Sequence, residues 1–358
     1  MKKGWEYRKL GEFIEEFSAR DKGKGYPVYS VTNTKGFCQE FFGKNVASED
    51  TSNYKVVPRG CFAYNPSRIN VGSVAWQNEE ENVSVSPLYV VFSVSPKLRK
   101  DFLLYYIKSN YSMAFINALS RGAVRNNLRL STLKTFKIPY ASVSMQQHVV
   151  EELDLLSSII EKKKALLNEL DNLAQSLFYE MFGDPITNEK GWDVKTWKDV
   201  FETKTGKLNA NASIEGGKYP FFTCSKDTSY IDTYAFDCEA LLLAGNNASA
   251  NYDVKYYKGK FNAYQRTYVL TIKEGAYPFY KISLEGKLPF LQSHSLGGLT
   301  KYLTMGVLKD LSFIAPPLSL QHLFASKIEA IEYQKELIKK SIKEVETLFN
   351  SRMDYYFN

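Results

Sequence analysis

Residues 146–182 read QQHVVEELDLLSSIIEKKKALLNELDNLAQSLFYEMF, and residues 321–357, offset by 175 positions, read QHLFASKIEAIEYQKELIKKSIKEVETLFNSRMDYYF. In the first stretch Val149, Leu153, Leu156, Ile160, Leu167, Leu170, Ala174, Leu177 and Met181 recur on steps of four and three, interrupted by Lys163. In the second, Phe324, Ile328, Ile331, Lys335, Ile338, Ile342, Val345, Phe349, Arg352 and Tyr356 keep every step. A seven-residue apolar period is the narrow seam of a coiled coil rather than the broad stripe of a helix lying on a globular core. Each helix alone would expose its seam, so the two are expected to pair antiparallel. Leu153, Leu156, Ile160, Leu167, Leu170 and Leu177 then meet Ile328, Ile331, Ile338, Ile342 and Val345. Lys163 and Lys335 either interrupt the seam to set its register or carry their ammonium groups out to water. Helices of this length span roughly 55 Å, a spacer with a globular part at each end.

The repeat continues outward from the helices, which makes the chain two similar halves. Lys3-Gly4-Trp5-Glu6 opens the first and Lys190-Gly191-Trp192-Asp193 the second, each followed by a short amphipathic segment. Tyr26–Ser30 and Tyr219–Thr223 read as strands entered through a proline. Gly60–Asn65, Val83–Phe92, Ala240–Ala244 and Thr267–Ile272 read as buried strands, and Lys100–Asn117 as one helix. Each half closes with a glycine-containing polar loop (Ser120–Leu128, Ser295–Leu303) and a proline-bearing strand. Ser144 and Ser319 are the expected N-caps of the long helices. Gly183-Asp184-Pro185 ends the first helix, and the second closes with the repeat at Asn358, so no further domain is expected. The fold class is α+β: two mixed α/β domains separated by two long helices in an antiparallel coiled coil, with an internal pseudo-two-fold repeat. The expected boundaries are 1–144, 145–183, 184–318 and 319–358.

The chain has 358 residues and a net charge of +7. Residues 146–182 carry three lysines against seven acids, and residues 321–357 carry six of each sign. The remainder therefore holds +11, which suits nucleic-acid contact by the globular parts and protein contact by the helices. Cys38, Cys61, Cys224 and Cys238 lie far apart in sequence, so neither a metal site nor a disulfide framework is expected. His148 and His322 sit at helix starts, and with His294 they offer no Ser/His/Asp arrangement. No apolar run is long enough to span a membrane, and the start lacks the apolar core of a signal peptide. A cytoplasmic location is the default expectation.

The ordered series, duplicated at constant spacing, is a Gly-Trp-acid opening, a glycine loop, a proline-bearing strand, a Ser-x-Gln helix start and a heptad helix. The Ser-x-Gln starts are Ser144-Met145-Gln146 and Ser319-Leu320-Gln321. In this the whole chain resembles the specificity subunits of type I restriction–modification systems. The resemblance implies that each globular half is a target recognition domain reading one half of a bipartite DNA sequence. It implies that the helices set the unread spacer and dock two methyltransferase subunits, with restriction–translocation subunits completing the complex. S-adenosylmethionine, ATP and Mg²⁺ would then sit on those partners and not on this chain. Compared with the family pattern the chain is short, and Pro139 stands alone where the second half has Pro316-Pro317.

Catalytic signatures are missing. No Asn-Pro-Pro-Tyr or Asp-Pro-Pro-Tyr occurs, Asn65-Pro66-Ser67-Arg68 being nearest, and there is no P-loop. Glu202-Thr203-Lys204 has the spacing of a nuclease metal site but is short enough to arise by chance. What remains is binding chemistry: Arg to guanine, Asn or Gln to adenine, and cations, hydroxyls and amides to phosphate. In the first half the candidates are Arg68, Arg121, Arg125, Asn126, Asn127 and Arg129; in the second, Asn246, Asn247, Gln265, Arg266, His294 and Lys301. Both polar loops can also be read as turns that satisfy their own backbone. Tyr264 and Tyr302 can stack on bases or simply pack. The competing functions are a stand-alone two-headed nucleic-acid-binding protein, a nuclease using Glu202 and Lys204, and a purely structural adaptor.

Overall fold

The computed structural model describes residues 4–39, 50–120 and 127–358. Two 40-residue helices, Val143–Phe182 and Leu318–Phe357, keep the 175-residue offset of the sequence repeat. The chain divides into two compact units, Met1–Lys164 with Lys340–Asn358, and Ala165–Lys339. Each unit therefore contains one portion of each long helix.

In the first unit a four-stranded antiparallel sheet runs in the order Ile14–Glu16, Val90–Val94, Phe62–Tyr64, Val74–Trp76. Phe62 and Phe92 stack across it at 5.1 Å. Behind them pack Phe102, Leu103, Tyr106 and Ile107, all buried. Three sequence expectations change here. The strand expected at Tyr26–Ser30 is reduced to a single bridge at Val28, and Ser30–Thr32 pairs instead with Gly36–Cys38. Residues 83–92 form two strands, since Asn82–Val85 pairs with Lys55–Pro58 while Val90–Val94 joins the main sheet. Pro87, which has no N–H to give a ladder, sits at the break. The helix expected at 100–117 is two helices, Lys100–Lys108 and Asn110–Ser120. Ser109 leaves the helical conformation (ψ 153°), and its hydroxyl donates to the Tyr106 carbonyl at 2.7 Å.

The second unit holds a six-stranded sheet in the order Phe201–Thr205, Thr267–Ile272, Phe236–Ala244, Val254–Ala263, Tyr219–Phe222, Ser229–Ile231. Its pairs are antiparallel except where Phe221 and Phe222 meet Asn262 and Ala263. The run Ala240–Ala244 is buried in a central strand, as its unbroken apolar character requires. Val254–Ala263 escaped the sequence reading because its alternating Lys and Tyr hide the strand in a charged stretch.

Both units use one device to launch a long helix. The strand after the opening tryptophan pairs antiparallel with the proline-bearing strand: Glu6–Lys9 with Lys137–Tyr140, and Val194–Thr196 with Ser312–Ile314. The helix then starts one residue before the expected cap. Ser144 and Ser319 lie inside the first turn; in the first helix Ser142 Oγ instead accepts the Met145 N–H at 3.3 Å. The two glutamines related by the repeat, Gln146 and Gln321, are buried clamps. Gln146 Oε1 accepts from Arg99 N at 2.8 Å, and its Nε2 donates to the carbonyls of Ala141 (2.8 Å) and Lys97 (3.1 Å). Gln321 repeats this, accepting from Ala276 N at 3.3 Å and donating to Pro316 O at 2.8 Å. Gly275 beside it has φ +112°, and a Cβ there would meet Gln321 Oε1 at 2.5 Å.

The tryptophans seat helix ends. Trp192 Nε1 donates to Phe182 O at 2.9 Å, and Gly183 (φ +75°) turns the chain out of the helix. In the first unit Trp5 stacks on Tyr356 at 6.2 Å.

The helix portions pair antiparallel within each unit. In the first, Glu152 bonds Arg352 and Lys164 lies 3.5 Å from Glu346, so one number falls as the other rises. In the second, Asp171 meets Lys335 at 2.7 Å and Phe178 meets Phe324 at 5.7 Å. Leu153, Leu156, Ile160 and Ile342 are buried in the first unit, with Val345 half-buried. In the second, Ile328 and Ile331 are buried, and Leu167, Leu170, Leu177 and Ile338 are half-buried. Lys335 is held in the seam by carboxylates, with Glu332 also at 2.7 Å and the lysine side chain 14% exposed.

Two predictions follow from these contacts. Gln146→Leu leaves a buried N–H and two carbonyls unpaired, each costing about 1–3 kcal/mol; the midpoint of urea unfolding falls, and an unchanged midpoint would count against the clamp. The Arg352 guanidinium, helped by the Tyr356 hydroxyl and opposed by burial, holds Glu152 below the ordinary glutamate range. A depressed carboxylate stabilises the fold above its unfolded pKa, and this is lost as pH falls through the folded value. Glu152→Gln should therefore cost about 1–2 kcal/mol at neutral pH and much less at an acid pH below the folded value. Equal losses at both pH values would contradict the assignment.

Candidate nucleic-acid interface

In the first unit, two segments distant in sequence are tied together. Tyr64 hydroxyl donates to Leu128 O at 3.0 Å, Leu128 N to Pro66 O at 3.1 Å, and Ser67 Oγ to Asn127 Oδ1 at 2.5 Å. Burial pushes the Tyr64 hydroxyl far up, so it remains a donor. Asn65 Oδ1 accepts from Ser67 N at 3.0 Å and closes the turn that leads to Arg68. The turn 65–68 and the segment 127–129 thus form one surface carrying Arg68, Asn127 and the exposed Arg129. Asn65, Pro66 and Ser67, noted in the sequence only as the nearest approach to a methyltransferase signature, join the candidate Arg68 on this surface. Arg121, Arg125 and Asn126 lie outside the described residues.

In the second unit the convergence is tighter. Asn246 pairs with Tyr302 and Asn247 with Lys301 in a short antiparallel ladder. Gly245 N donates to Arg266 O at 2.8 Å, and Leu303 N donates to Gly245 O at 2.8 Å. Gly245 is required here, because a Cβ would stand 2.2 Å from Arg266 O. Tyr268, its hydroxyl donating to Leu303 O at 2.9 Å, braces the same corner. Burial raises the Tyr268 pKa, and the Arg266 charge opposes that shift. Asn246, Asn247, Arg266, Lys301 and Tyr302 therefore share one surface.

The side chains there are not all equally available. Asn247 Oδ1 accepts from Ser249 N and Oγ, both at 2.9 Å, so its oxygen serves its own turn. Gln265 Nε2 donates to Asn209 Oδ1 at 2.8 Å. His294 stacks on Phe290 at 3.9 Å, with Nδ1 3.0 Å from Phe290 O, which anchors it at the end of the helix Leu288–Ser293. Arg266 is exposed and makes no ion pair among the described residues.

A signal the sequence reading missed unites the two surfaces. Residues 51–78 and 102–150 contain no Asp or Glu, and neither do 240–252, 254–273 and 286–309. Residues 65–68, 127–129, 245–247, 266 and 301–303, which meet at the candidate surfaces, come from these segments. Cations and amides therefore outnumber carboxylates along these segments, which favours contact with a polyanion. Acidic residues cluster elsewhere: Glu79, with Tyr29, Phe37, Trp76 and Gln77, lines a cavity of about 110 Å³ in the first unit. That volume is below the roughly 300–1,000 Å³ of small-molecule sites. Glu202 and Lys204 are an exposed ion pair at 2.8 Å. Among the described residues no group of three or more His, Cys, Asp or Glu could hold a metal ion. No described helix is long and apolar enough to cross a membrane.

Residues 2–172 and 189–347 each match the model of the type I restriction modification DNA specificity domain. The EcoDI specificity subunit of Escherichia coli is 36% identical over 154 residues, 43% of this chain and 34% of that protein. The MjaIX specificity subunit of Methanocaldococcus jannaschii is 30% identical over 138 residues, 34% of this chain and 32% of its own length. These matches thus span about a third of the relatives' lengths. In fold, the chain is similar to the S subunit of a type I restriction–modification system from M. genitalium, with TM-score 0.60, 16% identity, and 99% of this chain and 96% of that one covered. A second solved chain, from work on type I system assembly and conformational transition, gives TM-score 0.58 at 16% identity, covering 100% and 98%. Two specificity-domain matches in tandem, together covering most of the chain, place it in the type I restriction–modification DNA specificity family.

Proposed function

We propose that this chain is the non-catalytic, sequence-reading subunit of a type I restriction–modification complex. Each unit reads one half of a bipartite DNA target through the surface described above. The observation that carries the reading is the convergence, in the second unit, of Asn246, Asn247, Arg266 and Lys301 from three acid-free segments. Arg266 suits a guanine edge, Asn246 an adenine edge, and Lys301 a phosphate. Arg68, Asn127 and Arg129 serve the first unit, with Arg121, Arg125 and Asn126, which precede Asn127 in the sequence. Gln265 and His294 support the second. Chemistry on a base requires it to be flipped from the duplex, work assigned here to partner methyltransferase subunits. S-adenosylmethionine, ATP and Mg²⁺ would be held by the methyltransferase and restriction subunits, in the cytoplasm where the DNA is.

The helices supply a docking surface for those partners. Beside the buried seam, each helix bears a second set of apolar side chains that the pair leaves exposed. In the second unit it comprises Leu166, Leu173, Leu323 and Leu337; in the first it comprises Leu155 (62% exposed), Leu348 and Tyr355. A helix pair with an uncovered second apolar set is built to receive further helices. This favours a subunit of a larger complex over a stand-alone nucleic-acid-binding protein.

The tests separate reading from docking. In a complex reconstituted with the methyltransferase subunit, Arg266→Ala should lower methylation of the cognate target by about 10- to 100-fold and relax one half of the motif only. Relaxation of both halves, or of neither, would contradict the assignment. Leu166→Glu combined with Leu173→Glu should abolish co-purification with the methyltransferase while the helical circular-dichroism signal is unchanged. Retained co-purification would remove the docking role from this set.

A further inference from the structure

The second unit carries the most exposed large apolar side chain among the described residues. Leu299 is 96% exposed, at the tip of a closed ribbon. Leu296 and Tyr302 exchange backbone bonds in both directions, at 3.0 and 2.9 Å. Gly297 (φ +99°) permits the tight tip, since a Cβ there would meet Thr300 O at 2.3 Å. The base of the ribbon is fixed by the pairing of Lys301 with Asn247 and by the bond from Leu303 N to Gly245 O. The tip is therefore presented by a hydrogen-bonded support.

The surroundings say what the tip meets. The ribbon belongs to the acid-free stretch 286–309, and its base joins the Arg266 corner. Positive charge and amides around a protruding leucine fit a polyanion that also offers apolar points. Duplex DNA offers one in its major groove, the C5-methyl group of thymine. The major groove admits a two-stranded ribbon, being about 12 Å wide, whereas the minor groove is about 6 Å. We infer that Leu299 enters the major groove and reads a thymine methyl group in the half-site of the second unit. The inference rests on the DNA-reading function proposed above and adds a base identity to it.

The test uses the full chain assembled with its methyltransferase subunits and duplexes carrying the methylated motif. Each thymine of the half-site assigned to the second unit by Arg266→Ala is replaced in turn by deoxyuridine, which removes only the methyl group. Wild-type binding should weaken about three- to tenfold at one position. Leu299→Ala should weaken binding to the thymine duplex by a similar factor and be indifferent to deoxyuridine there. At 96% exposure the side chain contributes nothing to the folded core, so the variant folds. A half-site without thymine, no deoxyuridine-sensitive position, or undiminished sensitivity in Leu299→Ala overturns the inference while sequence-specific binding stands. Absence of any sequence preference in the wild-type complex overturns the DNA-reading function, and this inference with it.

Discussion

The heptad seam cannot be left in water, and both units are built around covering it. Burying a leucine or isoleucine is worth about 1.5–3 kcal/mol, so a row of them overrides the weaker preferences of the connecting loops. The seam is not a separate coiled coil attached to a domain. In the first unit Val149, Val150 and Leu153 share one core with Phe102, Leu103 and Ile107, and Met353, Tyr356 and Phe357 close it. In the second, Phe178, Phe182, Phe324 and Ile328 share a core with Phe279 and Tyr280. Each candidate surface is thereby built on a core shared with the helix portions of its own unit, the support that the proposed readout would need, because hydrogen bonds to base edges tolerate little misplacement.

Polar anchoring supplements the apolar packing where the chain changes direction. Gln146 and Gln321 tie the strand-to-helix corner to the segment preceding the next packed helix, and the tryptophans Trp5 and Trp192 seat helix ends. Where polar groups enter the seam, they are paired: Lys335 with Asp171 and Glu332, Arg352 with Glu152 and Tyr356. Such pairs add little net stability, but they penalise a shifted register, in which a charge would be left facing leucine.

The helices were legible in the sequence because heptad periodicity is a strong local signal that recurred at a constant offset. The duplicated Gly-Trp opening and proline strand were legible as motifs, but not as partners: that Glu6–Lys9 pairs with Lys137–Tyr140 is a contact across more than a hundred residues. Ser144 and Ser319 were misread as caps because an extra half turn precedes them, with Ser142 taking that role in the first helix. The candidate surface was partly legible. Asn246, Asn247, Arg266 and Lys301 were singled out by residue type, and the structure shows them sharing a surface. The same chemistry gave no warning that Asn247 would close its own turn or that His294 would stack on Phe290. Leu299 was invisible to residue-type reasoning, since a leucine in sequence reads as core until its exposure is known.

The central claim is that this chain dictates where a partner acts on DNA. It is tested most directly by co-expressing the chain with its methyltransferase subunit and sequencing methylated adenines at single-molecule resolution. A single two-part motif, with an unread interval of constant length, is the expected result. A stable complex whose methylation shows no shared motif, or none at all, would contradict the reading role and leave the helices as the sole basis for a function in assembly.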